Sequence, residues 1–374
     1  MIRSDLRMRV ADNGVLEIVD PGLDCLDLLK QIDERFSVRS APLEGFRRPR
    51  FLPTRERGCG LMRTELSVVD EGTLWTAHRQ ARHEGPPSET EATGLDLKIE
   101  LAGRLLQGCR LCARRCRVDR RAGQRGFCGL GVEAFLAEAF VHIAEEAPVN
   151  PSLVLNLTGC GMRCAYCQQG RLIEDPRSLG IELDPSLWSR LDMRGARSIS
   201  FVGGNPDESL YAILRFLAGA PASLDLPLVW NSHAYSTPEV LELLDGVVDA
   251  WLPDLKYGLD GCARRWSSSP GYVEAARAAI ASMAAQGVPV IARILVLPGH
   301  VECCHLPSLR YLASLGQMNL SVSVRGQYAP DHHITDRDGA MAGRPLDEEL
   351  ARVMDEANAL CLSLIDLEHK RGTH

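Results

Sequence analysis

Six short apolar runs separated by helical stretches occupy the chain from residue 151 onward, and this alternation most narrows the folds open to it. The runs are SLVLNLT (152–158), SISFVGG (198–204), LPLVWNS (226–232), VVDAWLPDLK (247–256), VPVIARILVLPG (288–299) and NLSVSVRGQY (319–328). Between them, PSLWSRLDMRG, ESLYAILRFLAG, TPEVLELLDG, YVEAARAAIASMAAQG and LPSLRYLASLG carry apolar residues at helical spacing. LDEELARVMDEANALCLSLI follows the last run. Several of these stretches open at a capping or turn position such as Asp184-Pro185 or Thr237-Pro238 and end at glycine. Strand-then-helix units imply parallel strands joined by right-handed crossovers. Six units fall short of the eight that close a full barrel. The expected fold is therefore α/β, an open partial (β/α)6 barrel over residues 151–345, with a helix in 346–374.

In such folds the chemistry gathers where the strands end, because the following loops converge on one mouth. The distinctive residues fall there. Cys160 follows the first run, Gly203-Gly204 end the second, and Asn231 ends the third. Asp254 and Lys256 end the fourth, Arg293 sits in the fifth, and Gln327-Tyr328 end the sixth.

Thirteen cysteines are many for a chain whose N-terminus, MIRSDLRMRVADNG, lacks an apolar signal core. The chain is read as cytoplasmic, where thiols serve as metal ligands, catalytic groups or small apolar side chains rather than disulfides. No apolar stretch is long enough to span a bilayer. A net charge of −7, with arginines scattered, argues against nucleic acid or membrane as the main partner. Seven of the cysteines fall between positions 109 and 167 in two tight clusters. The remainder, including Cys262 and the vicinal pair Cys303-Cys304, are read as packing residues. The pair is given no role, because neighbouring cysteines do not easily chelate one metal together.

NLTGCGMRCAYCQQG (156–170) places Cys160, Cys164 and Cys167 as Cx3Cx2C directly after the first apolar run. Three thiolates leave a structural zinc one ligand short. A four-iron, four-sulfur (4Fe-4S) cubane held by three thiolates keeps one iron open, which is a catalytic feature. Cys109, Cys112, Cys116 and Cys128 form a second set, Cx2Cx3Cx11C, within residues 96–150. Four thiolates suit either a closed zinc site or a second 4Fe-4S cluster. Residues 1–95 have their own character, with helical spacing at Leu23, Leu26, Leu29 and Ile32 and a polar Pro/Gly stretch at 83–94 read as a linker. No chemistry is assigned to that extension, which is expected to be an appended domain or arm.

Cx3Cx2C with Tyr166 before its last cysteine, set ahead of six β/α units, resembles the signature of the radical S-adenosylmethionine (SAM) superfamily. HIAEEAPVNP, LLDGVVDAWLPDLKYG, SSSPGYVEAA, RILVLPGH and RGQYAP further resemble the pyruvate formate-lyase activating enzyme-like family and the related Memo-associated radical SAM proteins, over roughly residues 96–345. The resemblance implies a radical SAM enzyme in which Cys160, Cys164 and Cys167 hold the cluster that reductively cleaves SAM to a 5′-deoxyadenosyl radical, which then takes hydrogen from a substrate. It implies cofactor contacts from Gly203, Gly204, Asn231, Asp254, Lys256 and Arg293, with Asn205 standing where relatives carry an acidic residue. It also implies a protein that donates single electrons. A glycyl radical enzyme, another protein, a peptide or a small molecule all stand as substrates. A non-catalytic iron–sulfur carrier is the reading from a different class.

Overall fold

The computed structural model describes residues 8–10, 16–18, 41–43, 45–80 and 88–365. The helical spacing at Leu23–Ile32 lies outside the described residues. Twelve strands are present among those described: β1 (Met8–Val10), β2 (Leu16–Ile18), β3 (Gly58–Met62), β4 (Glu91–Thr93), β5 (Phe135–His142), β6 (Ser152–Leu157), β7 (Ile181–Glu182), β8 (Ser198–Gly203), β9 (Leu228–Ser232), β10 (Ala250–Pro253), β11 (Val290–Leu295) and β12 (Leu320–Arg325).

The six expected runs are β6, β8, β9, β10, β11 and β12, and they pair in that order, every pair parallel. β6, β9 and β10 are buried along their whole length, as strands covered on both faces should be. Helices Leu210–Ala218, Pro238–Leu244, Asp260–Ser267, Tyr272–Ala285 and Leu306–Ser314 fill the crossovers. The stretch after Pro185 makes only a short 3-10 helix, Pro185–Arg190. Beyond it Arg194 bonds its own neighbour Asp192 at 2.6 Å and Gly195 turns the chain at φ +80°, so no helix continues.

The sheet continues past β6 into antiparallel β5, which also pairs with β2 and β7, and β2 pairs with β1. The architecture is thus a mixed α/β fold around a mostly parallel sheet. The segment just before β6 reaches across to its far strands. Arg293 of β11 donates from Nε to Glu146 Oε1 at 2.7 Å, and Arg325 of β12 donates to the same oxygen at 2.7 Å.

The expected boundary near residue 95 is not a break in packing. One hydrophobic core runs from Phe51 through the sheet to Ala357. Arg50 bonds Asp249 through its backbone N–H and Asp245 through its guanidinium, each at 3.0 Å. Buried Lys98 donates to the Leu243 and Asp245 carbonyls, both at 2.9 Å. Part of the expected linker is ordered: Glu91–Thr93 form β4 against β3, and Thr93 opens the helix Gly94–Leu105. A reciprocal capping box fixes that start, with Thr93 Oγ1 accepting from Asp96 N at 3.1 Å and Asp96 accepting from Thr93 N at 2.8 Å.

Candidate functional site

The loop after β6 carries Cys160, Cys164 and Cys167. Gly159 starts it at φ +79°, a left-handed turn that a side chain would strain. Three supports then hold it. Arg163 N donates to Ser267 O at 3.0 Å and Ala165 N to Trp266 O at 2.7 Å, so the end of helix Asp260–Ser267 acts as a rail. His333 N donates to Ala165 O at 2.7 Å from the other side. Tyr166 Oη lies 2.8 Å from Tyr257 Oη, which lies 2.6 Å from Ser267 Oγ, and Ser267 Oγ in turn donates to Cys164 Sγ at 3.0 Å. Cys160 is buried; Cys164 and Cys167 are half-buried. Burial pushes all three thiols up, Cys167 to about 12. Thiols so placed keep their protons until a cation replaces them.

Gly203 and Gly204 meet this loop from β8. A Cβ at Gly203 would strike the Leu157 backbone, and one at Gly204 would overlap the Gly159 backbone. Gly204 N donates to Leu157 O at 2.6 Å. The glycine pair therefore permits contact between strand end and cysteine loop.

Asn231, Asp254, Lys256 and Arg293 line one cavity of about 250 Å³. Its wall includes Gln168 and Gln169, which directly follow Cys167, and Val202 of β8, but not the glycine pair. Lys256 Nζ donates to Asp254 Oδ2 at 2.6 Å. Burial alone would lower the lysine, but Asp254 and the neighbouring Cys164 raise it above its ordinary value. Arg293 is engaged by Glu145 and Glu146, and so shapes the wall as a fixed ion pair. Burial opposes ionisation of Glu145, but Arg293 outweighs it and holds that carboxyl down at about 2. Tyr328 is buried, with its hydroxyl donating to Met341 O at 2.6 Å. The structure thus brings together four of the six expected cofactor contacts, and sets the other two against the thiol loop.

The four-cysteine set lies beside the first. Cys112 and Ser236 form an isolated antiparallel bridge, and Ala113 N donates to Tyr235 O at 2.9 Å. A Cβ at Gly161 would lie 2.9 Å from Cys112 Sγ and would also strike Glu208. Phe127 N points at Cys116 Sγ, 3.4 Å away, while buried Arg120 spans Glu208 O at 2.9 Å and Cys109 Sγ at 4.0 Å. Burial pushes Cys128 up to about 11. Among the described residues, two groups bring three His, Cys, Asp or Glu ligand atoms within 4.8 Å of one another: Cys262 with Cys303 and Cys304, and Glu174 with His332 and His333. The seven cysteines of the two loops are in neither. A tetrahedral zinc with Zn–S near 2.3 Å needs sulfurs about 3.8 Å apart.

Sequence reasoning missed Glu145, Glu146, Arg325 and the acidic pair Asp207-Glu208. Glu208 accepts from Gly161 N at 2.8 Å and Asn205 Nδ2 at 2.6 Å, and lies 3.4 Å from His233 Nε2. Asp207 accepts from Trp230 Nε1 at 2.7 Å and from Ser236 Oγ. Two adjacent acids three residues beyond a glycine pair, in a segment otherwise bound for the core, were the available signal.

The radical SAM superfamily profile matches residues 157–312. An uncharacterized protein of Methanocaldococcus jannaschii, MJ0674, is 30% identical over 280 residues, covering 72% of this chain and 80% of that protein. Among solved structures, Streptococcus suis SuiB bound to S-adenosylmethionine aligns at 12% identity and TM-score 0.40, over 55% of this chain and 47% of SuiB. The enzyme anSMEcpe with bound AdoMet and Cp18Cys peptide aligns at 14% identity and TM-score 0.40, over 57% of this chain and 62% of its own. The match spans about half to three-fifths of those two chains. From the profile match, the chain carries a radical SAM superfamily domain over residues 157–312.

Proposed function

We propose that the chain is a radical SAM enzyme in which Cys160, Cys164 and Cys167 hold a 4Fe-4S cluster that, once reduced, supplies the electron cleaving SAM to methionine and a hydrogen-abstracting 5′-deoxyadenosyl radical. The observation that carries this reading is the cavity that places Asn231, Asp254, Lys256 and Arg293 together beside Gln168-Gln169 of the cysteine loop. The donor set fits the group: three thiols on one loop, too widely spaced to close around a single ion, each suited to its own iron. In this reading the Lys256 ammonium and Asp254 carboxylate receive the oppositely charged carboxylate and amine of the methionine moiety, and Arg293 with Glu145 and Glu146 keeps that wall rigid. The chain's residues bind, orient and exclude water, and none needs to act as a general base.

Cys109, Cys112, Cys116 and Cys128 are assigned to a second 4Fe-4S cluster rather than zinc, because their sulfurs are not gathered as tetrahedral zinc requires. Buried Arg120 beside Cys109 offsets the charge of bound thiolates. The substrate is a protein or peptide, with a glycyl radical enzyme as the specific form suggested by the activase-like motifs, and a one-electron reductant protein feeds the cluster. The working compartment is the reducing cytoplasm.

The test is 5′-deoxyadenosine formation. Protein purified without oxygen and reconstituted with iron and sulfide is given SAM and a strong reductant, beside a Cys164→Ala variant. Product from wild type alone supports the reading. A full iron complement with no product, with or without candidate substrates, would leave an iron–sulfur carrier as the better description.

A further inference from the structure

Three thiols that neither cysteine loop uses converge where the helix that braces the first loop meets the turn after β11. Cys262 lies in the first turn of helix Asp260–Ser267, and Cys303 and Cys304 lie on the turn Val301–His305. Cys262 Sγ is 3.9 Å from Cys303 Sγ, Cys303 Sγ is 3.7 Å from Cys304 Sγ, and all three sulfurs fall within 4.8 Å of one another. From sequence the vicinal pair looked unable to chelate together. The two sulfurs nevertheless lie 3.7 Å apart, on a π-turn in which His305 N donates to His300 O at 3.2 Å. An i→i+5 turn is wider than an α-turn, so successive side chains diverge by less than the roughly 100° of an α-helix. Such turns are rare and often found at functional positions.

We infer that Cys262, Cys303 and Cys304 form a thiolate site for a thiophilic d10 cation, for which zinc(II) is the probe. A metal–sulfur bond near 2.3 Å puts sulfurs about 3.8 Å apart in a tetrahedral site and about 4.0 Å apart in a trigonal one. Both sulfur–sulfur distances given above fall in or next to that span. Soft thiolates select zinc and copper(I) over hard cations. Each bond forms as a thiol gives its proton to solvent, so up to three protons leave and no electron moves. Cys304 is buried while Cys262 and Cys303 are half-exposed. Cys262 also lines a surface cavity of about 560 Å³ with Arg265, Trp266 and His300, which provides entry. Packing of three small apolar side chains is the competing account, but it does not require the sulfurs to converge on one point.

The site would join two loops that matter. Helix Asp260–Ser267 follows β10, the strand leading to Asp254 and Lys256, and the π-turn follows β11, which carries Arg293. The two already touch: Trp266 Nε1 donates to His300 Nε2 at 3.0 Å, and a Cβ at Gly258 would lie 3.0 Å from Cys304 Cα. A bound ion would pin both to one another.

The experiment uses the full chain, anaerobic, with its iron content first made constant by reconstitution. One equivalent of zinc(II) is added, the protein is desalted, and zinc and iron are measured, with zinc K-edge absorption reading the ligand set of the bound ion. The expected result is one zinc per chain with three sulfur neighbours, and iron unchanged. Outer-shell changes at metal sites cost about 10–100-fold in affinity, so Cys262→Ser and Cys303→Ser, which each remove a ligand, should weaken zinc by at least about 100-fold. Cys361→Ser, an exposed cysteine elsewhere, should retain zinc. Both substitutions fall at half-exposed positions, and the iron content and melting temperature of each variant report any folding failure directly. Equal zinc in wild type and both variants, or none in any of them, would overturn the site. A copper(I) titration identifies which d10 ion is preferred if zinc binds.

Discussion

Lys256 Nζ sits 2.6 Å from Asp254 Oδ2 at the exit of β10, with side-chain exposures of only 16% and 24%, and the same ammonium acts on Cys164 and Cys167. A cation and an anion are thus held side by side where a zwitterionic ligand next to the cysteine loop would meet both. Lys256→Met should weaken SAM binding by about 10–100-fold, the value of a charge-assisted contact of roughly 1.5–3 kcal/mol. Equilibrium dialysis with the reconstituted protein checks this, and an unchanged affinity would remove Lys256 from the cofactor site.

Gly204 has no room for a methyl group, because the Gly159 backbone passes where the Cβ would stand. Gly204→Ala should displace the cysteine loop or strain β8, costing about 1–3 kcal/mol. Bound iron per chain should fall together with the melting temperature. Wild-type iron at wild-type stability would mean that the loop tolerates displacement.

Glu146 is fully buried and neutralised by Arg293 and Arg325 at once. Glu146→Gln leaves buried Arg325 without its carboxylate and half-buried Arg293 with Glu145 alone, and the loss should be about 3–5 kcal/mol. Urea unfolding measures it. A loss under 1 kcal/mol would show that water or Glu145 compensates.

His78 contributes a pH dependence. Its Nε2 lies 2.9 Å from Lys98 Nζ, an arrangement that demands a neutral ring. Burial, then Lys98 and Arg79, push it from 6.5 down to about 3. A histidine depressed in the folded state stabilises fully above its unfolded value and loses that contribution as pH falls from 6.5 toward 3. The slope is on the order of 1.4 kcal/mol per pH unit. His78→Gln, which keeps the acceptor, should flatten the melting temperature against pH over that interval. An unaltered profile would assign the acid sensitivity elsewhere.

The six parallel strands were legible because each is an apolar run bounded by helical periodicity and glycine. Cys160, Cys164 and Cys167 were legible because their spacing is local. The partners of Arg293 were not: Glu145 and Glu146 precede β6, and only the folded sheet brings them against β11 and β12. The ordering of residues 45–80 against the sheet was hidden for the same reason, since Arg50 meets Asp249 across nearly two hundred residues of chain. The Cys262, Cys303 and Cys304 convergence depends on a π-turn, whose wider spacing leaves no mark in a sequence read for α-helical periodicity.

Gly161 is pressed between Glu208 and Cys112, so the two cysteine loops share a wall with no space left in it. In evolutionary terms positions 112, 161 and 208 are one unit of change. A side chain at 161 requires the thiol at 112 and the carboxylate at 208 both to shift or to be replaced by something smaller. Losing the four-cysteine loop would remove only one side of that wall, and the Glu208 carboxylate would still stand against position 161.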